Sequence, residues 1–137
     1  MTASLLYLVK RTELAVRARL EELLRPAGIT ALQYTALTVL EQDDGISAAQ
    51  LARDSFVTAQ TMADMVRALE RRGLIRREPN PVNRRERLIL LAGPGRRLLA
   101  EYAEPARELE RRMVAELTAE EVALFREALN EAWRALS

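Results

Sequence analysis

Residues 47–73 read SAAQLARDSFVTAQTMADMVRALERRG, and residues 74–91 continue LIRREPNPVNRRERLILL. The first stretch contains two helix starts. Ser47 is a hydroxyl N-cap for the short helix SAAQLARD, and after a turn at 55–57 Thr58 caps a longer helix, predicted over about residues 59–72. Met62, Met65, Val66 and Leu69 recur at helical spacing, so this helix has one apolar face and its two methionines belong to the core. Gly73 ends it, because glycine accepts the left-handed conformation that closes a helix. The period then changes. LIRREP and RLILLA read as short strands, and NPVNRRE between them supplies the Pro and Asn of a hairpin turn. The segment is therefore helix, turn, helix, hairpin.

Outward from this centre the chain is helical. Residues 4–24 repeat Leu5, Leu8, Val9, Val16, Leu20 and Leu23 along one face, and RPAG at 25–28 stops them. Thr30 caps a helix over 30–42 that should turn Leu32, Leu37 and Leu40 inward, and QDDGI at 42–46 reads as a plain turn. GPG at 93–95 should break the chain ahead of a helix over 95–117, which Pro105 is expected to kink. TAEE at 118–121 is a capping box, and the last helix, to Leu136, places Val122, Phe125, Leu129 and Trp133 on one face. The expected fold is mainly α with a small β-hairpin wing.

Composition excludes several functions. With 137 residues, the chain suits one domain of 1–137. It has no cysteine and no histidine, which removes thiol redox chemistry, disulfides, imidazole bases and the usual zinc sites. No paired acids converge on a predicted pocket, so an enzyme is not expected, nor is any cofactor or metal. No apolar run approaches the roughly 20 residues that span a bilayer, and no signal peptide is evident, so a cytoplasmic location without membrane contact is expected. Net charge is only +1, but Arg67 to Arg87 holds eight arginines and three glutamates, a local +5. A concentrated field of this kind acts regardless of the total.

That field sits where a helix-turn-helix with a wing would meet double-stranded DNA. The second helix of such a motif enters a major groove about 12 Å wide, so it needs small or hydrogen-bonding residues outward. Ser47, Thr58, Ala59, Gln60, Thr61, Ala63, Asp64, Arg67 and Arg71 are the candidates on the helices. Gln60 has the groups to pair with adenine, and Arg67 to meet guanine or a phosphate. Asn83, Arg84, Arg85 and Arg87 are the candidates on the hairpin, where arginines reach backbone or a minor groove. Arg71, Arg72, Arg76 and Arg77 should thicken the basic surface. Asp64 either accepts from cytosine or pairs with Arg67 one turn along. A second reading is a winged-helix interaction module, an antagonist or adaptor of another regulator. Asp64, Ala59 and Ala63 favour it, whereas the arginine cluster argues against it.

From ITALQYTALTVL through SAAQLARDSFVTAQTMADMVRALERRGLIRREPNPVNRRERLILLAGPGRRLL the sequence resembles the MarR family of bacterial transcription regulators. The most specific parts are QTM, VRALERRGLIRRE and NRRERLILL with the following glycine. The resemblance implies a homodimeric repressor of a palindromic operator. It implies a winged-helix lobe at 30–92, with dimerisation helices at 1–24 and 95–137. Arg85 occupies the family's wing-arginine position, while Asn83 stands where an aspartate commonly braces it, and Ala92 stands where a threonine is common ahead of the next helix. Many relatives release DNA on binding a small aromatic or phenolic effector. Tyr7, Tyr34 and Tyr102, with Arg11 or Arg17, are the residues available for one here. Release through cysteine oxidation is closed to a chain without cysteine.

Overall fold

The structure, a computed structural model, describes residues 2–137. Helix α1 (Leu5–Leu24) runs into one 3-10 turn (Arg25–Ala27), followed by α2 (Ala31–Gln42), strand β1 (Ile46–Ser47), α3 (Ala48–Asp54), α4 (Ala59–Arg71), β2 (Ile75–Pro79), β3 (Arg87–Leu91), α5 (Gly93–Met113) and α6 (Ala119–Leu136). The chain divides into two compact units, one ending at Ala103 and the other Glu104–Ser137.

The helix starts are set locally. Thr30 with Gln33 and Thr118 with Glu121 form complete capping boxes, and Ser4, Ser47 and Thr58 each accept a backbone N–H three residues on. Gly73 closes α4 at φ +72°. The hairpin β2–β3 pairs Ile75 with Leu91 and Pro79 with Arg87. It also takes a third antiparallel strand that the sequence reading missed. Ile46, read as the end of a turn, pairs with Ile89, giving the order β1-β3-β2. A two-residue strand has no periodicity to detect, and its partner lies more than forty residues away in sequence.

The first unit is built around Leu24, Leu37, Leu40, Leu51, Met62, Leu69 and Ile89, all essentially inaccessible. Met65 and Val66 join them, so the apolar face of α4 is core as expected. Leu32 is not inward: it is 41% exposed, and Ala31 and Ala36 take the buried positions of α2 instead. In α1 only Leu24 is buried, and Leu5, Leu6, Val9 and Leu14 stay exposed. In the second unit α6 buries no residue fully, leaving Leu124, Leu129 and Trp133 exposed. Exposed apolar residues grouped along a helix are the kind of surface that interaction sites use.

Helix α5 begins two residues earlier than expected and ends four earlier. Gly93 and Pro94 lie in its first turn, where a proline costs no hydrogen bond, and Ala92 C=O accepts from Arg96 N–H at 3.1 Å. The second glycine has a separate reason. A Cβ on the buried Gly95 would lie 2.2 Å from Leu74 O, so the helix can approach the backbone before β2 only with hydrogen at that position. GPG is therefore a close-packed helix start rather than a break. The helix continues through Pro105 to Met113, and a turn closed by Leu117 N–H donating to Val114 O (3.0 Å) precedes the cap at Thr118. Among the described residues no helix is long and apolar enough to cross a membrane.

Candidate nucleic-acid interface

Helix α4 is positioned by its buried stripe and by both its ends. At the start, Thr58 Oγ1 accepts from Thr61 N–H at 3.1 Å. Past the end, Arg72 Nη1 donates to Gly28 O at 3.0 Å, tying the helix to the turn after α1. With Met62, Met65, Val66 and Leu69 inward, Thr58, Ala59, Gln60, Asp64, Arg67 and Arg71 are exposed together. Thr61 and Ala63 are only half-exposed, because one sits against its cap and the other beside the hairpin. Asp64 forms an exposed ion pair with Arg67, the second of the two arrangements open to it in the sequence. Ser47 is half-buried as the cap of α3, its Oγ accepting from Gln50 N–H at 3.1 Å.

The hairpin tip is held by asparagines. Asn80 Oδ1 accepts from Val82 N–H (2.9 Å) and Asn83 N–H (3.3 Å), and Asn83 Oδ1 accepts from Arg85 N–H (3.1 Å). Glu86 N–H closes the turn on Asn83 O at 3.1 Å. The asparagine oxygens thus brace the wing tip through backbone turns. Arg84, Arg85 and Arg87 project from this tip, all exposed.

The eight arginines are not equivalent. Arg77 pairs with Glu70 at 3.1 Å, Arg76 with Glu78, Arg67 with Asp64, and Arg72 is committed to Gly28. Arg72, Arg76 and Arg77 are thus held by internal acceptors rather than simply adding to a free basic surface. Arg87 reaches Arg77 O only at 3.5 Å. Among the described residues, the side chains of Arg71, Arg84 and Arg85 have no protein partner, so the unneutralised charge lies on the outer end of α4 and on the wing. Between these elements lies a groove of about 310 Å³, bordered by Ser47, Ala63, Arg67, Arg77, Arg85 and Arg87 and floored by Val66 and Ile89.

Asp44 was read in the sequence only as part of a turn, yet it is a structural joint. Oδ1 accepts from Leu91 N–H at 2.8 Å and Oδ2 pairs with Arg96 at 2.6 Å, joining the end of the wing to the start of α5. Its partners are 47 and 52 residues away, so no local signal marks it.

The effector candidates are dispersed in environment. Arg11 lies over the Tyr7 ring, 5.6 Å from its centroid, on the exposed side of α1. Tyr34 is half-buried against the core, and Tyr102 is a core residue, 9% exposed. Arg17 is paired with Glu13.

A model of the MarR family matches residues 29–86, the segment that contains the helix-turn-helix and the wing tip. The HTH-type transcriptional repressor Rv2887 of Mycobacterium tuberculosis is 32% identical over 129 residues, covering 94% of this chain and 93% of the repressor. The chain belongs to the MarR family. It is a transcription regulator of winged-helix fold, as the resemblance implied. Rv2887 has been crystallised with DNA, and that structure superposes with a TM-score of 0.77 at 30% identity, covering 96% of this chain and 98% of that one. Its complex with salicylic acid gives a TM-score of 0.76 at 31% identity, covering 96% and 97%.

Proposed function

We propose that this MarR-family regulator is a cytoplasmic repressor that binds a palindromic operator in double-stranded DNA as a homodimer. In this reading α4 enters the major groove with Thr58, Ala59, Gln60, Thr61, Ala63 and Arg67 toward the bases. Ser47 and Arg71 meet flanking backbone, and Asn83 orients Arg84, Arg85 and Arg87 of the wing. The observation that carries it is the placement of the arginines of 67–87: the exposed face of α4 and the wing border one groove, and those of the eight left unpaired lie on these two elements. The uncovered apolar residues of α1 and α6 support a second copy as partner, with residues 1–24 and 95–137 as the dimerisation helices. Half-sites then fall about one helical turn, roughly 10 base pairs, apart.

A small aromatic or phenolic acid is the proposed releasing ligand. Salicylic acid bound to Rv2887 supports that class, and Tyr7, Arg11 and Tyr34 are the contacts proposed here. Binding of a labelled duplex over a salt series tests the DNA reading. With about six to ten phosphates neutralised per dimer, affinity falls by roughly 10³–10⁵ between 50 and 200 mM salt. Absent or salt-insensitive binding contradicts the reading.

A further inference from the structure

We propose that the groove between α4 and the hairpin seats one backbone phosphate of the bound duplex, and that Arg77 is the residue that fixes it. The inference rests on the DNA-binding reading and names a contact within it. The geometry of a winged helix supplies the first argument. With a recognition helix in the major groove and a wing at the adjacent minor groove, the strand dividing the two grooves must pass between helix and wing. Here that passage is the groove lined by Ser47, Ala63, Arg67, Arg77, Arg85 and Arg87. Four arginines line it with one acidic residue, Glu86. Arg67 and Arg77 are each paired with an acid outside the lining, Asp64 and Glu70, so the uncompensated positive charge that draws an anion comes chiefly from Arg85 and Arg87. Ser47 and Ala63 keep one wall low enough for a phosphate to enter.

Arg77 differs from its neighbours in how it is held. It lies midway along β2, an edge strand, opposite Ile89 of the central strand β3, rather than at the hairpin tip. Its Nη2 pairs with Glu70 of α4 at 3.1 Å, which ties β2 to the recognition helix beside the groove. Arg87 Nη2 lies 3.5 Å from the Arg77 carbonyl, placing a second guanidinium alongside. Arg77 Nε is buried without an acceptor, so the donors left for an incoming group are those of the partly exposed Nη end, where only Nη2 is engaged, by Glu70. A guanidinium anchored at one nitrogen with others unspent is suited to a phosphate oxygen, and its fork geometry distinguishes it from a lysine. The sequence reading counted Arg77 only as part of a basic surface.

The test is a salt series on R77A, R76A and the unaltered protein, with a mixed-sequence duplex and with a duplex selected for binding. R76A is the control, because Arg76 pairs with Glu78 and does not line the groove. R77A is expected to bind more weakly on both duplexes. Its slope of log affinity against log salt should be shallower by about 0.9, so that its deficit shrinks about 3.5-fold between 50 and 200 mM salt. R76A should keep the original slope. A purely structural role for Arg77 would lower affinity without altering the slope. R77Q, which keeps the stem and a hydrogen-bonding end, gives the same comparison should R77A fold poorly. An unchanged slope in R77A or R77Q, with the unaltered protein binding normally, overturns the phosphate seat. Failure of the unaltered protein to bind either duplex overturns the DNA reading and the seat with it.

Discussion

Gly95→Ala is expected to destabilise the protein, against the usual effect of alanine in a helix. Replacing a helical glycine by alanine ordinarily gains up to about 1 kcal/mol from backbone entropy. At Gly95 the added methyl would stand 2.2 Å from Leu74 O, 3.1 Å from Leu91 Cδ2 and 3.2 Å from Leu74 C, where ordinary contact begins at 3.4 Å. Leu91 Cδ2 can give way by rotation, but the Leu74 carbonyl is backbone. Relief requires the start of α5 to retreat by about 1 Å, a displacement that close-packed interiors resist. Leu74 O also accepts from Ala92 N–H at 3.0 Å, so retreat stretches that bond as well. Overpacking of about 1–3 kcal/mol and a weakened hydrogen bond of about 1 kcal/mol outweigh the entropic gain, leaving a net loss of about 1–3 kcal/mol. Urea unfolding of both proteins at one protein concentration measures it, since dimer stability depends on concentration. Gly93→Ala is the internal control. Its methyl meets only the mobile end of Arg97, at 3.3 Å, and should change stability by no more than about 0.5 kcal/mol. Equal effects at the two glycines, or a gain at Gly95, would refute the close-approach argument.

Asp44→Ala should cost about 1.5–3 kcal/mol in the same unfolding assay, because it strands Leu91 N–H and frees Arg96; an unaltered midpoint would remove Asp44 as a joint. Arg84→Ala with Arg85→Ala should weaken duplex binding on all sequences, whereas Gln60→Ala should mainly change which bases are preferred; competition between duplexes differing at single positions separates the two, and retained full affinity in the double variant would end the wing role. Hydrogen bonds from Arg111 and then Arg107 hold the Glu104 carboxyl below its ordinary value. The associated stability is present above the ordinary carboxylate range and is lost as pH falls through the lowered value. Arg111→Ala should move the Glu104 titration upward, as read by NMR, and no movement would contradict the assigned cause.

The parts of the fold that were legible in sequence are those fixed by neighbours within a turn. Thr30, Ser47, Thr58 and Thr118 were readable as caps because each bonds three residues along, and Met62 and Met65 because helical spacing alone sends them inward. The features missed depend on distant partners. β1 exists only because Ile89 comes back beside Ile46, and Gly95 is required by Leu74 O, which local composition does not reveal. Leu32 was placed inward because α2 carries more apolar residues than one face can bury.

At the candidate site the same division holds. The exposed positions of α4 and the arginines of the wing follow from period and turn chemistry, so they were found. Which arginines are free was not readable. Glu70 reaching Arg77, Glu78 reaching Arg76 and Gly28 accepting from Arg72 are products of the folded arrangement, and they concentrate the unpaired charge on Arg71, Arg84 and Arg85. Asn83 illustrates a further limit. It stands where an aspartate commonly braces the wing arginine, and its oxygen accepts the Arg85 N–H within the tip turn, a contact that residue type alone does not reveal.

Selection of bound duplexes from a random DNA pool by the purified protein, at about 0.1 M salt, tests the central claim most directly. The account predicts a palindromic consensus whose half-sites lie about one helical turn apart, as two copies of α4 in successive major grooves require. No enrichment, or an enriched sequence without two-fold symmetry, would contradict a homodimeric operator-binding repressor.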